Sequence, residues 1–133
     1  MVTMEEASIM LDEIAEALPH EFYEKLNGGI LLLPNAKLHP NHRNSDLYIM
    51  GMYHYSSNMG RYIEIYYGSF EKLYPDISNE QFKQKLKKTL LHEFTHHIES
   101  LAGERDLEIK DARRMQRYKQ QKSRYINKKK KDE

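Results

Sequence analysis

Residues 78–103 read SNEQFKQKLKKTLLHEFTHHIESLAG. Ser78 followed by Gln81 has the spacing of a capping box, and apolar residues then recur at helical intervals: Phe82, Leu86, Leu90, Phe94, Ile98 and Leu101. This pattern predicts one helix from about Asn79 to Ala102, with Gly103 as its stop. On a helical wheel His92 and His96 fall opposite the apolar stripe, whereas His97 falls inside it and is expected to pack against the core.

His92 and His96 are four residues apart, so their imidazoles stand one turn above each other and both reach a single metal ion. Glu93 beside them is the general base that a hydrolytic metal site needs. The chain has no cysteine, which excludes disulfides and thiolate ligands. Imidazole and carboxylate must then hold the ion, a donor set that suits zinc. Two imidazoles leave one protein ligand to find and one position open for water. Glu99, three residues after His96 on the same helix face, is a candidate for that ligand. The pattern points to metal-assisted amide hydrolysis, with His54, Tyr55 and Tyr66 as candidate oxyanion or substrate contacts.

A chain of 133 residues suffices for one domain with a modest core. Residues 1–17 hold five acids and no base, unlike a secretory signal, and no run is apolar enough to span a bilayer. The expectation is a cytoplasmic protein. Charge is unevenly spread: residues 113–133 carry ten Lys or Arg and two acids, a net of +8, against −7 for residues 1–112. The expected organisation is a domain over 1–112 and a basic C-terminal helix with a flexible Lys-rich tail over 113–133.

Along the chain, residues 4–18 place Ile9, Met10, Ile14, Ala17 and Leu18 on one side of a helix ended by Pro19. A short helix is expected over Glu21–Leu26, a turn at Asn27-Gly28-Gly29, and a buried strand over Ile30–Leu33. Residues 35–45 read as a polar loop with His39 and His42 at the surface. Alternation over 46–55 and 61–67 predicts a hairpin with a five-residue loop, 56–60. Six of the ten tyrosines lie in it, read mostly as amphipathic sheet residues with solvated hydroxyls. A helical turn is expected over Ser69–Leu73, a last helix over 106–121, and no structure over 128–131.

Residues 11–26 (LDEIAEALPHEFYEKL), the strand after them, the hairpin over 48–67 and the stretch LLHEFTHH at 90–97 together resemble the bacterial minimal zincins, small zinc metallopeptidases. The resemblance covers about residues 4–112. It implies an α+β, zincin-like minimal fold: an N-terminal helix, a small mixed sheet with a tyrosine-rich hairpin, a long HExxH helix and a C-terminal helix. It also implies a Zn2+ cofactor and a peptide or protein substrate. In that family the motif continues as HExxHHxGxxD. Here Glu99 stands where the glycine belongs, and Gly103 and Asp106 follow one helical turn late. The family pattern makes Asp106 the first candidate for the third ligand, ahead of Glu99 and Glu108.

A second class of function is a nucleic-acid-associated protein with a structural or vestigial metal site. Arg113, Arg114, Arg117, Lys119, Lys122 and Arg124, interleaved with Tyr118 and Tyr125, are residue types that contact phosphates and stack on bases. RNA cleavage of the kind seen in the bacterial rRNA-maturation endonuclease needs a histidine six residues after the second, where this chain has Ala102.

Overall fold

Thr3 and Glu6 cap the first helix reciprocally, the Thr3 hydroxyl accepting from the Glu6 amide and the Glu6 carboxylate from the Thr3 amide, each at 3.1 Å. These bonds hold the Glu6 carboxyl below its ordinary value. In this computed structural model, which describes residues 1–40 and 47–131, the side chains of 118 and 121–131 excepted, that helix is α1, Met4–Ala17. His42, the first residue of the expected hairpin and the tail's Tyr118, Lys122, Arg124 and Tyr125 side chains lie outside the described set. The chain forms two units, Met1–Ile98 and Glu99–Glu133.

α1 buries Ala7, Leu11 and Ile14. Ile9 is 60% exposed and Ala17 is exposed as well, against expectation. A face through residues 7, 11 and 14 leaves position 9 about 160° away, so the small Ala7 and not the large Ile9 sits at the contact. A 3₁₀ turn, His20–Tyr23, replaces the expected helix over 21–26. Lys25 adopts a left-handed backbone (φ 61°), which stops a helix there.

The sheet is mixed, as expected. β4 (Gly51–Ser56) and β5 (Gly60–Tyr66) form an antiparallel hairpin that closes at Ser56 and Gly60. Its loop is 57–59, shorter than expected, because Gly60 at φ +70° turns the chain within the first strand position. β1 (Gly29–Leu33) pairs with β5 in parallel, giving the order β1-β5-β4. The expected long first hairpin strand is interrupted at Met50. β3 (Tyr48–Ile49) instead pairs with β2 (Lys37–Leu38), which lies inside the stretch read as a polar loop. After β5, α2 (Tyr67–Leu73) packs Gly68 against the backbone of 34–36, where a Cβ would come within 2.5 Å of Ala36 N.

α3, Asn79–Lys131, starts at the expected capping box, with Ser78 and Gln81 exchanging bonds of 3.2 Å. Phe82, Leu86, Leu90 and Phe94 are buried with Ile63, Ile65 and Phe70 in the core. The next place in the stripe belongs to His97, fully buried, while Ile98 is 46% exposed. The helix has no stop at Gly103, no fresh start at Asp106 and no fraying at 128–131: the backbone stays helical to Lys131. A glycine inside an exposed helix costs only about 1 kcal/mol against alanine, and the Glu, Lys, Arg and Gln around it are good helix formers. Among the described residues no helix is long and apolar enough to cross a membrane.

Candidate metal centre

α3 presents His92 and His96 on an exposed face, their rings 88° apart in plane and their Nε2 atoms 3.2 Å from each other. At that distance the two nitrogens share one proton or bind one ion. Ligands at 2.0–2.1 Å around a tetrahedral ion stand about 3.3 Å apart, so the imidazoles already have the required spacing. Glu93, 4% exposed, completes a group whose ligating atoms all lie within 4.8 Å of one another. Its Oε2 is buried without a hydrogen-bond partner. Burial pushes the Glu93 carboxyl above its ordinary value, while His92, His96 and His54 pull it down. Two imidazoles beside an unpartnered buried carboxylate fit a divalent cation. Glu99, Asp106 and Glu108 belong to the second unit and are not in this group.

His97, next to His96, anchors the helix to the sheet. Its Nε2 donates to the Glu24 carbonyl at 2.8 Å, because a carbonyl only accepts. Burial, the largest influence, pushes its pKa down, so the ring is neutral and Nδ1 accepts from the Tyr53 hydroxyl at 2.8 Å. Arg61 Nη1 in turn donates to Tyr53 Oη at 3.0 Å. The sequence pattern places His97 in the core but does not identify its partners, the Tyr53 hydroxyl and the Glu24 carbonyl, or Arg61 behind Tyr53. The available signal was the rule that a buried histidine needs partners at both nitrogens. Tyr53 thus has a bonded hydroxyl and not a solvated one, and so does Tyr67, which donates to the Val2 carbonyl at 2.6 Å.

The three hairpin candidates do not line the cleft beside the histidine pair, although the charge of His54 acts on Glu93. His54 stacks on Tyr62 with centroids 4.7 Å apart, and its Nε2 lies 2.6 Å from Glu64 Oε1, off the line of its N–H but close enough for an ion pair when protonated. Tyr66 is buried and accepts from Lys37 Nζ at 3.3 Å. Tyr55 is 67% exposed beneath the Arg61 guanidinium, 4.1 Å from its ring centre. The cleft of about 580 Å³ that His92 and Glu93 border is lined instead by Met50, Gly51, Phe70, Tyr74, Lys85 and Lys88, among others. These residues were not singled out from the sequence, although Lys85, Lys88 and His92 share one helix face at spacings of three and four.

No protein-family model matches the sequence, and no curated protein does. Among solved structures, a conserved hypothetical protein from Thermus thermophilus is 30% identical to it, with a TM-score of 0.65. The match covers 77% of this chain and 99% of that one.

Proposed function

The chain belongs to the family of that Thermus thermophilus protein, and from the chemistry of the site we propose that it is a zinc-dependent metallopeptidase of the minimal zincin kind. One observation carries the reading: two imidazole nitrogens 3.2 Å apart, with a buried, unpartnered carboxylate beside them.

His92 and His96 would hold the ion, with a third ligand drawn from Asp106, Glu99 or Glu108 in that order of preference. Zinc, when bound, supplies Lewis acidity that lowers the pKa of water to about 7 and polarises a carbonyl. Glu93 takes the proton of the attacking water and passes it to the leaving amide nitrogen. Its burial strengthens its hold on that proton between the two transfers. β4 is an edge strand, and Met50 and Gly51 at its start line the cleft next to His92 and Glu93. An extended peptide that adds to this edge as a further strand runs past the carboxylate.

The test is zinc content in protein purified without added metal, followed by cleavage of an unbiased peptide library. Glu93→Gln is expected to keep zinc and fold while losing cleavage; His92→Ala and His96→Ala are expected to lose zinc. Equal zinc in all three variants, or cleavage that survives Glu93→Gln, overturns the proposal. Zinc without cleavage, joined to salt-sensitive RNA binding, favours the nucleic-acid reading instead.

A further inference from the structure

Lys85 and Lys88 are, with Glu93, the charged side chains that line the cleft beside the histidine pair; His92 borders it too. Neither lysine pairs with a carboxylate of the described residues, whereas Lys83 on the same turn is taken by Glu13. The Lys85 ammonium lies 4.2 Å from the ring centre of Tyr74, another lining residue, and this cation–π contact fixes it at the cleft wall. The surroundings have the opposite sign: residues 1–98 carry nine Lys or Arg and thirteen Asp or Glu, a net of −4. Two unpaired cations inside a cleft on an acidic unit form a local attraction for negative charge that the rest of the unit opposes.

Resting on the peptidase reading, we propose that this cleft selects polypeptide substrates bearing an acidic side chain three or four residues from the bond that is cut, received by Lys85 and Lys88. The spacing follows from the helix. Lys85, Lys88 and His92 are at i, i+3 and i+7 on one face, and with a rise of 1.5 Å Lys88 stands about 9 Å and Lys85 about 14 Å along the axis from the midpoint of His92 and His96. An extended peptide covers about 3.3 Å per residue, which gives three or four residues.

A polypeptide fits better than a nucleic acid. Met50, Phe70, Tyr74 and Leu91 make the cleft largely apolar, no arginine lines it, and the β4 edge offers backbone donors and acceptors in strand register. Two lysines are too few for a phosphate track, which draws on several cations in a row. Partly exposed ion pairs are individually weak, so the two together are expected to favour the acidic peptide about three- to tenfold.

The test uses full-length Glu93→Gln protein with zinc added, and fluorescent peptides amidated at the C-terminus so that side chains supply every carboxylate. Glutamate replaces glutamine at each position in turn. Glutamate at one position is expected to bind about three- to tenfold tighter, with the preference fading above about 0.3 M salt. Lys85→Gln with Lys88→Gln is expected to abolish it, and Lys85→Glu with Lys88→Glu to reverse it towards lysine-containing peptides, with unchanged circular dichroism. Equal affinity for glutamate and glutamine everywhere overturns the proposal. So does a preference that survives both double variants, which would belong to the basic tail. An oligoribonucleotide that displaces the acidic peptide at lower concentration through the same lysines also overturns it. If the Glu93→Gln protein shows the preference, yet the zinc-loaded parent protein cuts no peptide, the peptidase reading is refuted and the lysine pocket for acidic side chains still stands.

Discussion

The hydroxyl of Tyr53 stands 2.8 Å from His97 Nδ1, tying β4 to α3 across 44 residues of sequence. His97 is fully buried and its other nitrogen is committed to Glu24, so Nδ1 has no water to turn to. Tyr53→Phe therefore strands a buried acceptor and removes one acceptor from Arg61. It is expected to cost about 1–3 kcal/mol, read as a lower urea midpoint at unchanged zinc content. An unchanged midpoint would mean that the pair adds nothing to stability.

The third ligand is open to a direct measurement. Asp106→Ala, Glu99→Ala and Glu108→Ala are to be compared by competition for zinc against a chelator, where a true ligand costs far more than the 10- to 100-fold typical of an outer partner. Asp106 is expected to show the large loss. A large loss at Glu99→Ala, with Asp106→Ala binding zinc as the parent does, would assign the ligand to Glu99.

Two glycines give opposite signs on substitution. Gly68→Ala drives a Cβ to 2.5 Å from Ala36 N and Asn35 C, backbone atoms that cannot swing aside, and is expected to cost about 1–3 kcal/mol in thermal unfolding. Gly103→Ala meets nothing within 4 Å and sits inside a helix, so it is expected to stabilise that helix by about 1 kcal/mol. A destabilised Gly103→Ala would show that the helix does end there.

Removing residues 122–133 is expected to leave the fold and metal binding intact, because among the described residues the hydrophobic core runs from Val2 to Phe94. Any affinity for nucleic acid is expected to go with that segment. Cooperative unfolding at a lower temperature after truncation would show that the segment packs.

Local signals carried most of what the sequence made legible. The Ser78–Gln81 box, the stripe Phe82, Leu86, Leu90 and Phe94, and the exposed pair His92 and His96 with Glu93 all depend on residues within a few positions of each other. What escaped depends on distant partners or on small balances. The parallel register Ile30↔Ile63 and the β2–β3 pairing join segments that carry no mark of each other. Gly103 looked like a stop because glycine ends many helices, yet the cost of keeping it helical is close to what its good helix-forming neighbours return. Tyr53, Arg61, Lys85 and Lys88 became significant once β4, β5 and α3 were placed around one cleft and one buried histidine.

The parallel pairing of β1 with β5 also bears on how the chain is made. The hairpin of β4 and β5 closes over residues 57–59, whereas β1 must wait for β5 across residues 34–59, a span that costs about 2 kcal/mol more in chain entropy. During synthesis Gly29–Leu33, with the sequence GILLL, leaves the ribosome first and stays unpaired until Tyr66 has followed. That interval exposes an apolar run with strong strand propensity, and it is there that a chaperone, or a second unfinished chain, competes with β5 for the same edge.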